Sequence, residues 1–310
     1  MKKILVTGAA GFIGSAIAKK LLSEGNEVVT IDNLSTGKRE VIPEGCEFIE
    51  GNVYDVSIID KLVEYKFDII IHFAGQSSGE VSFEDPVYDL KTNTQSTVML
   101  LDFAKKTGCK EFIYASSMSV YGDHEDPYVD ELSFTKPKSF YAIGKMASEH
   151  YMRIYSGFGI KTTALRLFNV YGIGQNLDNL KQGMASIFLA QALKDNHIFV
   201  KGAKDRFRDF VYIDDVVEAV ILSIGRKKGD IYDFYNVSNG EKVTVERIIN
   251  TIKLNLPYDI SVEYGSGTPG DQNGIYGDSS KIYNDLGWTA NSIFKDGMKK
   301  MINYYANLNR

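Results

Sequence analysis

The sequence predicts an α/β fold built on a doubly wound parallel sheet, with a smaller α/β lobe after it. Two observations support this: short β-branched runs without polar alternation, and segments of helical periodicity between them. Parallel strands are buried on both faces, so they give continuous apolar runs. These runs span residues 4–6, 28–31, 69–73 and 112–115, and a further strand is predicted over 162–168.

Four segments have the periodicity of amphipathic helices. The first spans about 12–23, and the second spans about 87–106 and stops before Gly108, a favourable C-cap residue. The other two span about 139–156 and about 293–308. Strands that alternate with helices at this spacing give a doubly wound sheet, because their crossovers are right-handed.

Composition argues against several classes of protein. A net charge of −5 leaves no electrostatic footprint for nucleic acid, and no apolar run reaches the ~18 residues of a membrane span. Two cysteines are too few for a disulfide framework or a Cys-based zinc site, and the four histidines lack metal-ligand spacing, so no metal is expected. The apolar run before Gly8 is too short for a signal peptide, so a cytoplasmic location is expected.

Three glycines, Gly8, Gly11 and Gly14, follow the first predicted strand and open the first predicted helix. Glycine at this point permits a tight turn, a close backbone approach to a pyrophosphate and close helix–strand packing. The N–H groups at the helix start then bind the phosphates. No Lys-Ser/Thr follows the last glycine, which argues against a nucleoside-triphosphate P-loop. The placement predicts a Rossmann-type dinucleotide site.

Asp32 ends the second predicted strand, about 20 residues beyond the glycines. A carboxylate there accepts hydrogen bonds from both ribose hydroxyls of adenosine and repels a 2′-phosphate, which favours NAD over NADP. The alternative is an aspartate that only caps a turn. Lys38 and Arg39 lie nearby and could still admit a phosphate.

Tyr141 and Lys145 lie four residues apart at the start of a predicted helix, hence on one face. An ammonium beside a phenol lowers the pKa of the phenol, so Tyr141 is expected to exchange a proton with a substrate hydroxyl. An exposed helix pair is the alternative interpretation. Ser116 and Ser117 end the strand predicted over 112–115, at the carboxyl edge where doubly wound sheets bind ligands.

Together these motifs resemble the NAD-dependent epimerase/dehydratase family, the extended short-chain dehydrogenases that act on nucleotide sugars. The resemblance runs along nearly the whole chain, and its further marks are the segments 32–34, 72–75, 116–122, 165–172, 208–212 and 286–288. It implies NAD as the cofactor and a nucleotide-diphosphate sugar as the substrate. It also implies an NAD-binding domain over 1–168, to which the chain later returns, and a mainly nucleotide-sugar-binding lobe over 169–310.

The same resemblance implies a homodimer formed through the helices predicted over about 87–106 and 139–156. Tyr151, Met152 and Tyr155 would then lie at the interface rather than in the core. No nucleic-acid or membrane partner is expected.

The resemblance also implies roles for individual residues. Tyr141 is the acid/base, Lys145 holds the nicotinamide ribose, and Ser117 shares the hydrogen bond to the reacting hydroxyl. The expected substrate contacts are Ser117, Met118, Ser119, Asn169 and Arg208, the last two at the pyrophosphate. The expected cofactor contacts are Gly8, Gly11, Phe12, Ile13, Gly14, Asp32, Asn33, Thr36, Gly37, Asn52, Val53, Phe73, Ala74, Gly75, Asn93, Tyr141 and Lys145.

Departures from the family pattern narrow the reaction. Family 4,6-dehydratases carry Asp-Glu where this chain has Met118 and Ser119, and neither side chain can move the protons at C5 and C6. Water loss is therefore not expected. Thr268 stands where many members have an arginine for the second phosphate. Lys204 replaces a usual glycine, and with Arg206 it can relocate that positive charge.

Three functions remain in competition. The first is a nucleotide-sugar 4-epimerase, in which NAD takes hydride from C4 and returns it after the 4-keto sugar has turned over. The second is a C4 dehydrogenase that releases the 4-keto sugar, for which the same residues suffice. The third is a non-catalytic NAD-binding sensor or scaffold, against which the intact set of Ser117, Tyr141 and Lys145 argues.

Overall fold

The computed structural model describes residues 1–181, 183–267 and 274–308. Its strands are β1 (Lys3–Thr7), β2 (Glu27–Asp32), β3 (Glu47–Glu50), β4 (Ile69–His72), β5 (Glu111–Ser117), β6 (Tyr128–Val129), β7 (Lys161–Leu167), β8 (Asn169–Tyr171), β9 (His197–Lys201), β10 (Phe207–Arg208), β11 (Phe210–Tyr212), β12 (Tyr232–Val237), β13 (Val243–Thr244), β14 (Ser261–Gly265) and β15 (Tyr276–Gly277).

The helices are α1 (Phe12–Ser23), α2 (Val56–Lys61), α3 (Gly79–Glu84), α4 (Pro86–Asp89), α5 (Ser96–Thr107), α6 (Phe140–Ser156), α7 (Met184–Asp195), α8 (Ile213–Ser223), α9 (Val245–Asn255), α10 (Ser280–Leu286) and α11 (Phe294–Leu308). A π-helical segment, Leu90–Gln95, joins α4 to α5. Short 3₁₀ turns lie at Arg39–Val41, Leu62–Glu64 and Met118–Val120.

Within the described residues, seven parallel strands form the central sheet in the order β12-β7-β5-β4-β1-β2-β3. The chain winds from β1 towards β3 on one side and from β4 towards β12 on the other, so the winding reverses between β1 and β4. Ligands of open α/β sheets bind outside the carboxyl ends of the strands at such a reversal. The predicted α/β class with a doubly wound parallel sheet is confirmed.

Helices cover both faces of this sheet, as the continuous apolar strands require. Along β1, Ile4 and Val6 pack into one buried cluster and Leu5 into the other. Each of these three side chains is at most 1% exposed. The sheet is therefore the middle layer between two apolar cores, and its carboxyl edge is left to form a site.

Two strands of the sheet have no counterpart among the predicted strands. Edge strand β3 is half-exposed and carries glutamates at both ends, so it lacks the continuous apolar pattern. Strand β12, Tyr232–Val237, carries Asp233 and Asn236 among aromatic residues. It returns from the second half of the chain to pair with β7.

The helix predicted over about 87–106 is interrupted. The chain is α-helical over α4, π-helical over Leu90–Gln95 and α-helical again over α5. It ends at Gly108, which has a left-handed φ of 80°, as expected for a C-cap glycine. The apolar periodicity over 87–106 predicts one continuous helix and does not indicate the π segment.

The expectation that Met152 lies at a dimer interface is wrong. Its side chain is fully buried and packs in the same core cluster as Phe112 and Ile160. Tyr151, one residue earlier on α6, is 43% exposed. The inward face of α6 therefore belongs to the chain's own core.

The second half of the chain adds small sheets beside the carboxyl edge. Strand β8 pairs with β11, β10 with β13, β9 with β14, and β15 with β6. The protein's single tryptophan, Trp288, is 1% exposed and donates its indole N–H to the backbone oxygen of Asp215 at 2.8 Å. The division at residue 168 remains a prediction.

Among the described residues, none of the helices is both long and apolar enough to cross a membrane. The same residues include no group of three or more His, Cys, Asp or Glu side chains placed to hold a metal ion.

Candidate active site

A cleft of about 540 Å³ opens at the winding reversal between β1 and β4. Its walls combine the loops that follow β1, β2, β4 and β5 with the start of α6 and with loops of the second half of the chain. Every predicted cofactor and substrate residue except Asn93 lines this cleft. The sequence motifs, which are up to 200 residues apart, are therefore brought into one site.

The glycine loop after β1 has no room for side chains. Gly8 has a left-handed φ of 78°, and a Cβ on it would lie 2.7 Å from the backbone N of Ala74. A Cβ on Gly14 would lie 2.1 Å from the backbone oxygen of Gly8. These approaches hold the loop against the segment after β4 and pack α1 onto the turn.

The N-terminus of α1 points its donors into the cleft. In the described chain no side chain caps this helix, and its first turn carries no acidic residue. Phe12, Ile13 and Gly14 all line the cleft. Uncapped N–H groups at a helix start attract anions through hydrogen bonding and the helix dipole. This donor set fits the pyrophosphate of a dinucleotide.

Asp32 is both a cleft residue and a turn anchor. Its Oδ2 accepts the Ala10 N–H at 3.0 Å and its Oδ1 accepts the Leu34 N–H at 2.8 Å. Leu34 has a φ of 56°, a left-handed conformation that is uncommon for a residue other than glycine. Burial raises the pKa of Asp32 above its ordinary value, while the backbone hydrogen bonds from Leu34, Ala10 and Asn33 lower it. Each carboxylate oxygen can still accept one more hydrogen bond.

Asn52, an expected cofactor contact, lies on the cleft wall in a row of hydrogen-bonded side chains. Asn33 donates its Nδ2 to Asn52 Oδ1 at 2.8 Å, and Asn52 donates its own Nδ2 to Asp55 Oδ2 at 2.9 Å.

The two cations near Asp32 already have acidic partners. Lys38 lies 3.2 Å from Asp178 and Arg39 lies 3.5 Å from Glu50. The pairing of both cations with carboxylates agrees with a cofactor that lacks a 2′-phosphate.

The three predicted catalytic residues come from two elements. Ser117 ends β5, and Tyr141 and Lys145 lie on the first turns of α6, whose N-cap Ser139 accepts the Ala142 N–H at 3.1 Å. Lys145 Nζ lies 5.6 Å from the centre of the Tyr141 ring and donates to the Ala115 backbone oxygen at 2.8 Å. The structure therefore brings the serine, the phenol and the ammonium together at the cleft wall.

The pKa of Tyr141 differs from the expectation. Removal of water from the phenolate raises the pKa of Tyr141 to about 12, while a hydrogen bond from Ser117 lowers it and Asp89 raises it. Lys145 was expected to lower this pKa, but it is not among the groups that shift it, and burial is the largest effect. Burial also lowers the pKa of Lys145 to about 8, and Asp89 and Glu149 raise it. In the protein alone, Tyr141 holds its proton at neutral pH.

The end of the cleft that was predicted to bind the sugar nucleotide is supported by Asp209, a buried residue behind its wall. Its carboxylate accepts three backbone N–H groups, from Asn239 and Gly240 at 2.9 Å each and from Gly277 at 3.1 Å. Asn169 donates its Nδ2 to the Asp209 backbone oxygen at 3.0 Å. Arg208, the preceding residue, lines the cleft although it is only 5% exposed. Burial lowers the pKa of Arg208 to about 10, which leaves it cationic at neutral pH.

The two cations expected to supply positive charge at this end of the cleft, Lys204 and Arg206, do not lie where that expectation requires. Lys204 is exposed and lies 3.3 Å from Glu246, and Arg206 donates to the backbone oxygen of Lys201. Neither lines the cleft. Thr268 lies outside the described residues.

Asn93 does not line the cleft. It is 1% exposed in the π segment and donates its Nδ2 to the Gln76 backbone oxygen at 2.9 Å and to Asp89 Oδ1 at 3.0 Å. A Cβ on Gly75 would lie 2.5 Å from Asn93 Oδ1. Asn93 therefore supports the loop after β4 from behind, and its predicted contact with the cofactor is not seen in this geometry.

Several cleft residues were missed. The polar run after β4 could have been found, because it follows a strand at the carboxyl edge. The others belong to loops with no motif, and only the fold brings them to the site. The missed residues include Ser77, Ser78, Gly79, Glu80, Lys138, Ser139, Gln175, Lys181 and Met184.

The chain is similar to several known proteins along nearly its whole length. A UDP-glucose 4-epimerase of Mycolicibacterium smegmatis is 30% identical over 312 residues, covering 98% of this chain and 99% of the relative. The structure of a UDP-glucose 4-epimerase of Thermotoga maritima with UDP-glucose has a TM-score of 0.94 at 31% identity, covering 99% of this chain and 100% of that one. A UDP-glucose 4-epimerase of Thermus thermophilus in complex with NAD has a TM-score of 0.90 at 32% identity, covering 98% of both chains.

The doubly wound sheet, the glycine loop and the Ser-Tyr-Lys set define a dinucleotide-dependent protein of the short-chain dehydrogenase class. The family model described as the NAD dependent epimerase/dehydratase family matches residues 4–238. The chain belongs to that family. Because the family is NAD-dependent, the prediction of NAD as the cofactor is confirmed.

Proposed function

We propose that this protein is a nucleotide-sugar 4-epimerase that oxidises and re-reduces C4 of a nucleotide-diphosphate hexose. The observation that carries the proposal is the position of Ser117, Tyr141 and Lys145 on the wall of a cleft that also contains the glycine loop. A protein that only binds the dinucleotide does not need a hydrogen-bonded serine–tyrosine pair beside a buried ammonium.

Each of the three residues has a distinct task in this reaction. Ser117 and Tyr141 bind the C4 hydroxyl, and the Tyr141 Oη accepts its proton when the sugar is oxidised and gives it back on reduction. Lys145 holds its ammonium beside the phenol ring and favours the phenolate form electrostatically. Arg208 and Asn169 anchor the diphosphate, so that the sugar itself remains free to turn over in the cleft.

The polar groups of the cleft fit NAD at three points. The uncapped N-terminus of α1 fits the pyrophosphate, Asp32 fits the adenosine ribose, and Lys145 fits the nicotinamide ribose. When bound, NAD supplies the hydride acceptor and a positive charge at the nicotinamide, which favours proton loss from the Tyr141 phenol.

The side chains next to Ser117 favour chemistry confined to C4. Met118 and Ser119 both line the cleft, and neither is a carboxylate that can exchange protons at C5 or C6. Glu80 also lines the cleft, with its Oε1 3.2 Å from Lys201 Nζ. Glu80 is therefore the residue to test if a water-loss product is found. The similarity to two UDP-glucose 4-epimerase structures adds support.

The test is incubation of the purified protein with a panel of UDP- and dTDP-hexoses, followed by chromatography and mass spectrometry, with reduced nicotinamide measured in parallel. A product of unchanged mass and new retention time, without net reduced nicotinamide, is expected. Loss of two hydrogens with stoichiometric reduced nicotinamide would identify a C4 dehydrogenase instead. Loss of one water would contradict both, and NAD binding without turnover across the panel would favour a sensor or scaffold.

We also propose that the protein is a homodimer through the outer faces of α6 and of the helical segment that runs from α4 through the π segment to α5. These faces carry apolar side chains that are each about half exposed: Val87 58%, Leu90 56%, Ile143 48% and Ile154 61%. Such a patch on paired helices suits self-association. Sedimentation of the wild type and of Ile154→Glu tests this, with a dimer expected for the first and a shift to monomer for the second. A monomeric wild type at micromolar concentration would refute it.

A further inference from the structure

Asp89 is a buried carboxylate behind the catalytic helix. It ends α4 and is 1% exposed. Its Oδ1 accepts from two neutral amides, Gln76 Nε2 at 2.9 Å and Asn93 Nδ2 at 3.0 Å. In the part of the chain that the structure describes, Asp89 makes no ion pair with a lysine or arginine. A buried carboxylate that has only amide donors needs an opposite charge nearby to remain ionised without a large cost.

Lys145 supplies the opposite charge across the contact between α4 and α6. Helix α6 meets Asp89 at Gly144, where a Cβ would lie 3.4 Å from Asp89 Oδ2. The next residue is Lys145, which is 5% exposed and donates to the Ala115 backbone oxygen, a neutral acceptor. Two opposite charges thus lie buried on facing helices, each hydrogen-bonded to uncharged groups. Charges in such an enclosed region act on each other beyond direct contact.

Glu149, the other carboxylate near Lys145, has its own cation. Arg166 donates its Nε to Glu149 Oε1 at 3.0 Å and its Nη2 to Oε2 at 2.7 Å. This bidentate ion pair compensates most of the negative charge of Glu149. Of the two carboxylates near Lys145, Asp89 is therefore the one whose negative charge is less compensated by another cation.

We propose that Asp89 is a positioning residue for the reaction: it is the buried counter-charge that keeps the Lys145 ammonium protonated beside Tyr141. The inference rests on the proposed function, since it assigns importance to the charge of Lys145. The helix that carries Asp89 continues into the π segment Leu90–Gln95, a geometry that is concentrated at functional sites.

Asp89 also links this charge to the cleft wall. Gln76, whose Nε2 donates to Asp89, donates the same group to the Ser78 backbone oxygen at 2.7 Å. The Ser78 hydroxyl in turn donates to the Lys181 backbone oxygen at 3.1 Å. The loop after β4 is thereby held between the buried carboxylate and the second half of the chain.

Other titratable groups also act on Lys145, and together they determine the direction in which its pKa should change in the test. Asp89 and Glu149 raise the pKa of Lys145, and burial lowers it. Asp89 also raises the pKa of Tyr141, so loss of its charge should lower both values. The groups around Lys145 are Asp89 from α4, Tyr141 and Glu149 from α6, Tyr114 from β5 and His72 from β4.

The test compares Asp89→Asn with the wild type by NMR titration of lysine-labelled protein, with the Lys145 signal assigned through Lys145→Arg. The wild-type midpoint is expected near 8, and Asp89→Asn is expected to lower it by about one pH unit or more. Asp89→Ser removes the same charge with less side-chain volume, and it serves if the asparagine variant folds poorly. An unchanged midpoint in a folded variant overturns the inference.

Two control variants separate charge from structure. Gln76→Ala removes a hydrogen bond of Asp89 but keeps its charge, and Glu84→Gln removes an exposed carboxylate on α3; neither should move the midpoint by more than a few tenths of a unit. In the epimerase assay, Asp89→Asn should shift both limbs of the pH–rate profile to lower pH. A purely structural residue would lower kcat at every pH without a shift. Because the titration needs no substrate, it remains decisive even if no panel sugar is turned over.

Discussion

Ser119 Oγ lies 3.0 Å from Ser117 Oγ, and the Ser119 N–H lies 3.2 Å from the same oxygen. Ser117 therefore accepts from Ser119 and has its own hydrogen left for Tyr141, whose pKa it lowers. The residue that replaces the dehydratase glutamate thus orients the hydroxyl next to it. Ser119 was predicted as a substrate contact, and its position adds a role in directing the Ser117 proton.

Ser119→Ala should lower kcat about 2- to 10-fold with little change in KM, because one neutral hydrogen bond contributes about 0.5–1.5 kcal/mol. Steady-state kinetics on the sugar identified by the panel measures this. Ser133→Ala, a change in a turn serine outside the cleft, is the control. An unchanged kcat for Ser119→Ala would show that Ser117 orients itself without this donor.

Tyr141→Phe should lower turnover by about 10²-fold or more while NAD binding stays nearly intact. The phenol oxygen touches the reacting hydroxyl but contributes little to cofactor affinity. Turnover by chromatography and NAD binding by calorimetry measure the two effects separately. Tyr151→Phe, on the same helix and 43% exposed, should behave as the wild type. If Tyr141→Phe keeps more than about a tenth of the rate, Tyr141 is not the base.

Asp32→Ala should weaken NAD binding about 10-fold or more, because hydrogen bonds to a charged acceptor contribute about 1.5–3 kcal/mol. It should also narrow the preference for NAD over NADP, since the 2′-phosphate no longer meets a carboxylate. Titration of both cofactors against both proteins measures the ratio. Glu27→Ala, at the other end of β2, is the control. If both affinities fall equally, Asp32 serves only as the anchor of the turn at Leu34.

Asp209→Asn should destabilise the fold and change its pH dependence. The carboxylate accepts three N–H groups, and an amide cannot accept all three from both of its atoms, so a loss of about 1–3 kcal/mol is expected. Burial raises the pKa of Asp209 to about 6, so the folded protein binds more protons than the unfolded chain between about pH 4 and 6. The contribution of this group to the free energy of unfolding therefore falls as pH rises through that window.

Urea unfolding of the wild type and Asp209→Asn at several pH values tests the sign. The stability advantage of the wild type should shrink from pH 4 to pH 6 and stay level above it, with a slope of at most about 1.4 kcal/mol per pH unit. An advantage that grows with pH would mean that the three N–H groups outweigh burial and lower the pKa of this carboxyl.

Much of the fold could be predicted because its signals are local. The helix over 12–23 matches α1 and the helix over 139–156 differs from α6 only at its N-cap. The five predicted strands match β1, β2, β4, β5 and β7 of the sheet. The carboxyl-edge argument then places Gly8, Asp32 and Ser117 in one cleft without knowledge of the loops between them.

What could not be predicted depends on partners distant in sequence. Strand β12 carries Asp233 and Asn236 among aromatic residues, and only its pairing with β7 at the edge of the sheet identifies it as a sheet strand. The pKa of Tyr141 depends on how completely neighbouring loops exclude water, and spacing to Lys145 does not encode that. From the sequence alone, an aspartate such as Asp89 in a helix is expected to lie at the surface. Only the packing of Gly144 against it shows that Asp89 is buried.

The lone tryptophan gives this chain a built-in optical reporter. Trp288 lies in the second half of the chain, sealed from water and tied to Asp215, whereas tyrosines are spread through both halves. Its emission should therefore report the unfolding of its own surroundings, which include the core cluster shared with Ile4 and Val6 of β1, and far-ultraviolet circular dichroism the melting of the whole. Two curves that coincide would mean that the returning strand β12 makes the halves one cooperative unit. A fluorescence change that comes first would reveal a lobe able to loosen while the sheet stays intact.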